Sequence, residues 1–165
     1  MIVSAMVTGS VALSVYTHAG SSTSTMNVSV SVGHSCSMDS SPMAFGAYDR
    51  VVANASTALE ATATVVSTCT SGAAALITMN AGASAGSGSA DAPVRRMTAG
   101  AGEYLVYQVY SDVARGTVWG NTAPTGVALT GTGVSQTLTA YGSVPAAQPA
   151  AQGVYSDQLS VTITY

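Results

Sequence analysis

The stretch "STSTMNVSVSVGHSC", residues 22–36, poses the question on which the fold turns. From Met26 to Val32 every second residue is apolar, and each residue between is Asn or Ser. Such alternation is the pattern of a β-strand with one greasy edge and one wet edge. Only Gly33, His34 and Ser35 separate it from Cys36, after which a full series of further strand patterns begins. The front strand is therefore surplus, and belongs either to its own sheet or to that of another molecule.

Composition narrows the field. The chain has 165 residues, long enough for one domain with a real core. Only 7% of them are charged, there is no Lys, and the net charge is −3. Four arginines spread among seven acids make no basic patch, which argues against a nucleic-acid partner. A hydrophobic share of 47%, rich in Val beside many Thr, is β-forming and buriable, so the chain is not disordered. Solubility rests on hydroxyl groups, which suits a surface packed against copies of itself.

Residues 2–16, "IVSAMVTGSVALSVY", form a short apolar run followed by Thr17, His18 and Ala19. Small residues at 17 and 19 fit a signal-peptidase site, so residues 1–19 read as a secretory signal peptide cut after Ala19, although no basic residue precedes the run. In a secreted chain the two cysteines, Cys36 and Cys69, read as a disulfide. A zinc site built from His18, His34 and both cysteines fits no usual ligand spacing, and no metal or other cofactor is expected.

Further along, "SPMAFGAYD" (41–49) reads as a short strand broken at Gly46. In "LEATATVVSTCT" (59–70), Leu59, Ala61, Ala63, Val65 and Cys69 fall on one face. "AAALITMN" (73–80) is a strand with Ile77 and Met79 inward, and the small residues of 81–93 make a loop. "EYLVYQVYS" (103–111) carries apolar residues on both faces and reads as a central strand. A loop through Trp119 leads to the strand "SQTLTAYGSV" (135–144). The final stretch, "GVYSDQLSVTITY" (153–165), puts Leu159, Val161, Ile163 and Tyr165 on one face. No segment has a helical period, so the reading is an all-β sandwich.

Chemistry is scarce. "GASAG" (82–86) matches the nucleophile-elbow pattern, but a Gly/Ser loop follows Ser84 and both histidines lie upstream. The acids Asp39, Asp49, Glu60, Asp91, Glu103, Asp112 and Asp157 show no repeated spacing. Asp112 with Arg115 reads as a turn-side ion pair, and Asp157 as a turn hydrogen bond. Trp119 and the tyrosines at 104, 107 and 110 read as packing residues. Asn27-Val28-Ser29 and Asn54-Ala55-Ser56 match the glycosylation sequon by coincidence. The chain is not expected to be an enzyme.

The order of several motifs resembles the spore coat protein U domain, the fold of archaic chaperone–usher pilins. The likeness runs from about Thr23 to Tyr165. It is carried by Cys36 with Phe45, Gly46, Tyr48 and Asp49, by "ATATVVSTCTSG" around Cys69, and by "RRM" (95–97). "YLVYQVYSDVAR" (104–115), "WGN" (119–121), "YGSVPAAQ" (141–148) and the last segment complete it. The resemblance implies an incomplete immunoglobulin-like β-sandwich, residues 33–165, lacking its last strand. It also implies a donor-strand extension, residues 20–32, whose Met26, Val28, Val30 and Val32 fill a neighbour's core. The acceptor groove would be lined by Leu159, Val161, Ile163 and Tyr165. Implied partners are further copies of the chain, a periplasmic chaperone that also anchors the carboxylate of Tyr165, an outer-membrane usher and other pilus subunits. The product would be an extracellular filament serving adhesion and biofilm formation. Two other readings stay open: a coat component assembled by the same exchange, and a monomeric secreted module whose residues 23–32 fold back on its own edge.

Overall fold

The computed structural model describes residues 14–15, 18–100 and 102–165, so most of the expected signal peptide lies outside the described residues. The chain divides into two units, Met1–Ser31 and Val32–Tyr165. Within the first, residues 18–31 hold neither strand nor helix. Met26, Val28 and Val30 are 86, 86 and 90% exposed, and Val32, at the start of the second unit, is 79% exposed. The alternation read as a strand is thus present in sequence without a ladder, because a strand needs a partner for its backbone groups.

The second unit holds eight strands and, among the described residues, no helix. They are β1 (Cys36–Ser40), β2 (Leu59–Cys69), β3 (Ala74–Met79) and β4 (Arg95–Gly100), then β5 (Glu103–Tyr110), β6 (Val127–Thr130), β7 (Ser135–Val144) and β8 (Val161–Thr164). One sheet has the order β1-β2-β7-β5-β4 and the other β6-β3-β8, with every pairing antiparallel. The long β2–β7 ladder runs from Leu59↔Val144 to Thr68↔Ser135. Its inner faces present Ala63, Val65, Ala140 and Val144 to Ile77 and Met79 of the facing sheet. Leu105, Tyr107, Val109 and Trp119 complete this shared core.

Period-two burial in β2 and β3 follows the expected faces, with Val65 and Ile77 fully enclosed. Cys36 and Cys69 lie directly opposite each other in the β1–β2 register and form a disulfide. That bond uses both thiols and staples the edge strand β1 to the end of β2.

Several expectations change. Segment 41–49 is not a strand: it leaves the sheet after Ser41, whose N–H bonds to Thr64 O at 2.9 Å, and Met43, Phe45 and Tyr48 then pack half-buried against the core. A Cβ at position 142 would run into Met43 and Phe45, so Gly142 makes room for this crossing. Tyr48 is pinned at the far end, donating to Pro145 O at 2.8 Å and accepting from Gln148 N–H at 2.9 Å. Strand β5 is flanked on both sides, yet it buries one face only; Tyr104 and Val106 stand 41 and 38% exposed on the other. Strand β6, in a stretch read as loop, and strand β4, given no reading as a strand, are short and lie at sheet edges. The final strand is shorter than its pattern, since Leu159 and Tyr165 fall outside β8.

A cleft between two sheet edges as candidate functional site

Strand β1 is the edge of one sheet and β8 the edge of the other. Between them the core is open. A cleft of about 450 Å³ has Ala63, Val65, Met79, Tyr107, Val109 and Ala140 in its lining, with Ser40–Met43 and Phe45 among the residues of one lip and Tyr155–Asp157, Leu159 and Val161 along the other. A second hollow of about 660 Å³ shares Met43, Phe45, Met97 and Tyr155 with it and continues past Leu59, Leu105 and Val144. Together they form one apolar trough along the sandwich. Phe45 and Tyr107 meet edge to face across it, with ring centroids 6.1 Å apart.

Of the residues expected in the groove, Leu159 and Val161 line the cleft, and Ile163 packs half-buried against the same core. Tyr165 lies beyond the end of β8, 54% exposed. Met43, Phe45, Met97, Tyr155 and Asp157 also line the cleft, where the sequence reading does not place them. A signal for two of them was present: Tyr155 and Asp157 extend the odd-numbered alternation of Leu159, Val161 and Ile163 backward by two steps.

The lip before β8 is held from outside. Thr98 and Ser156 exchange backbone bonds at 2.9 and 3.1 Å, Ala83 N–H donates to Gln158 O at 3.0 Å, and Asn80 N–H to Ser160 O at 3.0 Å. Asp157 reinforces this attachment, so it is a tertiary clamp rather than a turn residue. Its carboxylate accepts from the amides of Ala83 and Ser84 at 2.9 and 3.1 Å and from the Tyr107 hydroxyl at 2.8 Å. A Cβ on Gly82 would collide with that carboxylate, and Gly82 has φ +88°, so both contact and backbone favour glycine here. Burial first, then the bond to Asp157, pushes the Tyr107 phenol well above its ordinary pKa.

Beneath this wall lies Arg95, fully buried. Its Nε donates to Asn80 O at 2.9 Å, one Nη to Gln108 Oε1 at 2.6 Å, and the other to Met79 O at 3.0 Å and Trp119 O at 2.6 Å. Desolvation drives its pKa down to about 10, against the opposing pull of Tyr107 and Asp157, which leaves it charged at neutral pH. Arg95 thus ties the ends of β3 and β5 to the Trp119 loop. Trp119 itself is buried and donates Nε1–H to Ile77 O at 2.8 Å.

The other polar readings resolve elsewhere. Arg115 pairs with Glu60 at 2.9 Å, not with Asp112. Asp112 instead accepts from the amides of Gly116 and Thr117 at 3.1 and 2.6 Å, which hold its carboxyl below the usual range. Ser84 of the G-x-S-x-G match sits in a loop, where its carbonyl accepts from Arg96 Nε at 3.0 Å. Asn54 is buried, receives the Asp49 amide at 3.0 Å and donates to Thr57 O at 3.1 Å, so the second sequon is structural.

Comparison with known proteins agrees with this architecture. A solved structure of the CsuC–CsuE chaperone–tip adhesion subunit pre-assembly complex, from archaic chaperone–usher Csu pili of Acinetobacter baumannii, is similar in fold at a TM-score of 0.56 and 15% identity. The match covers 81% of this chain and 40% of that one, so this chain spans about two fifths of the length of its structural neighbour. The fold is an all-β, immunoglobulin-like sandwich. Protein U of Myxococcus xanthus is 36% identical over 171 residues, covering 98% of this chain and 96% of the relative. The profile of the Spore Coat Protein U domain matches residues 22–162, and the chain belongs to that family.

Proposed function

We propose that this protein is a structural subunit of a cell-surface assembly, polymerising by donor-strand exchange into a filament of the archaic chaperone–usher type. The observation that carries this reading is the open apolar trough between two unpaired sheet edges, in a chain that also carries an exposed alternating segment. Met26, Val28, Val30 and Val32 of one copy fill the trough of the next. Each contributes about 1.5–3 kcal/mol when fully buried, to which a backbone ladder is added. The bundle of contacts is large enough to hold a polymer without covalent links. Before assembly a periplasmic chaperone lends the missing strand, and an outer-membrane usher directs the exchange; the chaperone complex among the structural neighbours supports the first of these partners. Attachment and biofilm formation are the roles that such a filament serves.

A second reading, a coat layer built by the same exchange, is favoured by the family's own description and by the near full-length similarity to Protein U. The test common to both is the Val28→Asp chain. Surface material from the unaltered protein should run as a ladder of oligomers that collapses on boiling. The charged variant should give monomer only, and Val161→Asp on the accepting side should do the same. Ladders that persist in both variants overturn strand exchange. Electron microscopy of the intact surface then separates thread from layer.

A further inference from the structure

The backbone pattern along the trough shows how much of the wall is free to pair. Thr164 and Thr162 face Leu76 and Thr78 of β3, while the carbonyls of Ser160, Gln158 and Ser156 accept from the amides of Asn80, Ala83 and Thr98. The backbone bonds of the even-numbered residues from 156 to 164 therefore run to the outer side. In an extended chain the odd-numbered residues present their N–H and C=O groups to the opposite side. Among the described residues, none of Tyr155, Asp157 and Leu159 has a backbone partner, and all three line the cleft.

We infer that the strand-accepting edge runs from Tyr155 to Tyr165 rather than over β8 alone, and that it grips the polar flank Ser22–Thr25 of the incoming segment as well as its apolar half. This inference rests on the donor-strand reading above and specifies the partner strand. An extended edge of that length spans roughly 33–37 Å, whereas Met26–Val32 spans roughly 20–24 Å. The remainder pairs with residues on one flank of the apolar stretch. The C-terminal flank is excluded, because Cys36 is already paired and disulfide-bonded to Cys69 in its own body, leaving only Gly33–Ser35 as a connector. Ser22–Thr25 have no apolar side chain to bury, so their contribution comes through the backbone alone.

The test uses the full-length chain. Thr23→Pro and Ser24→Pro remove neighbouring N–H groups, one of which faces the edge in any register, whereas Thr23→Ala and Ser24→Ala keep them. At least one proline variant should lower the temperature at which the oligomer ladder collapses, and both alanine variants should leave it unchanged. In assembled wild-type material the amides of Tyr155, Asp157 and Leu159 should exchange with solvent as slowly as those of Val161 and Ile163, about tenfold or more below the rate of an open amide. Free exchange at 155–159 with protection at 161 and 163, together with neutral prolines, overturns the extended edge and leaves strand exchange standing. Normal ladders from a Val28→Pro chain overturn both.

Discussion

At the scale of single residues, the cleft wall depends on polar contacts that tie distant segments together. Asp157 is one such knot, and Gly82 is the vacancy it needs. Gly82→Ala should destabilise the domain by about 1–3 kcal/mol in urea unfolding, since a Cβ there meets the carboxylate and the backbone conformation is unfavourable as well. Arg95 is the second knot. Arg95→Met removes the donors to four carbonyls and to Gln108, which should cost about 3–5 kcal/mol because those acceptors stay buried or half-buried. Asp49 and Asp112 give the pH dependence. Backbone amides of Val51 and Val52 hold Asp49 below the ordinary carboxylate pKa, and those of Gly116 and Thr117 do so for Asp112. A depressed folded pKa means that the unfolded chain takes up protons first. Their stabilisation is therefore complete above about pH 4 and is lost as pH falls through the folded values. Carboxyl titration followed by NMR should show both groups protonating below the ordinary aspartate value.

At the scale of elements, the two edges that frame the cleft are unequally secured. Strand β8 is held by β3 along four register pairs, and the segment before it by Thr98, Ala83 and Asn80. Strand β1 is a five-residue edge held to β2 by its ladder and by the disulfide. Replacing both cysteines with serine should cost about 3–4 kcal/mol on the loop-closure estimate. It should also loosen β1 before the rest of the sandwich, which is visible as early amide exchange at Ser37 and Asp39, whose register positions are in step with the Ser35 and Ser41 backbone bonds across the ladder, while Val65 stays protected. The sequence showed β2, β3, β5 and β7 clearly, because each is long enough for period-two burial to repeat. It hid β4 and β6, short edge strands whose sequences, RRMTAG and VALT, carry no apolar–polar alternation.

At the scale of the whole molecule, the strand exchange proposed above makes the open trough and the exposed alternating segment an acceptor and a donor on one chain, which is the condition for head-to-tail growth. Such growth is open-ended wherever the rotation between successive copies does not close a ring, and the filament proposed above is the open case. Mixing equal amounts of a chain altered on the donor side (Val28→Asp) and one altered on the acceptor side (Val161→Asp) should yield dimers and nothing longer. Each mixed pair has one working donor and one working groove between them. Size-exclusion chromatography with light scattering reads the outcome directly.

What the amino-acid order determined by itself is the local and periodic part: an all-β chain, the inward faces of its long strands, and a front segment with one apolar edge. These follow from side-chain period and composition, which need no knowledge of neighbours. The tertiary structure decided where the core stays open and what holds it so. Phe45 and Met43 crossing over Gly142, Asp157 reaching Ala83, Ser84 and Tyr107, and Arg95 joining Met79 to Trp119 are contacts between residues far apart in sequence. Periodicity cannot report them, because a polar side chain at an inward position looks the same in sequence whether it finds its partner in the adjacent turn or on the facing sheet.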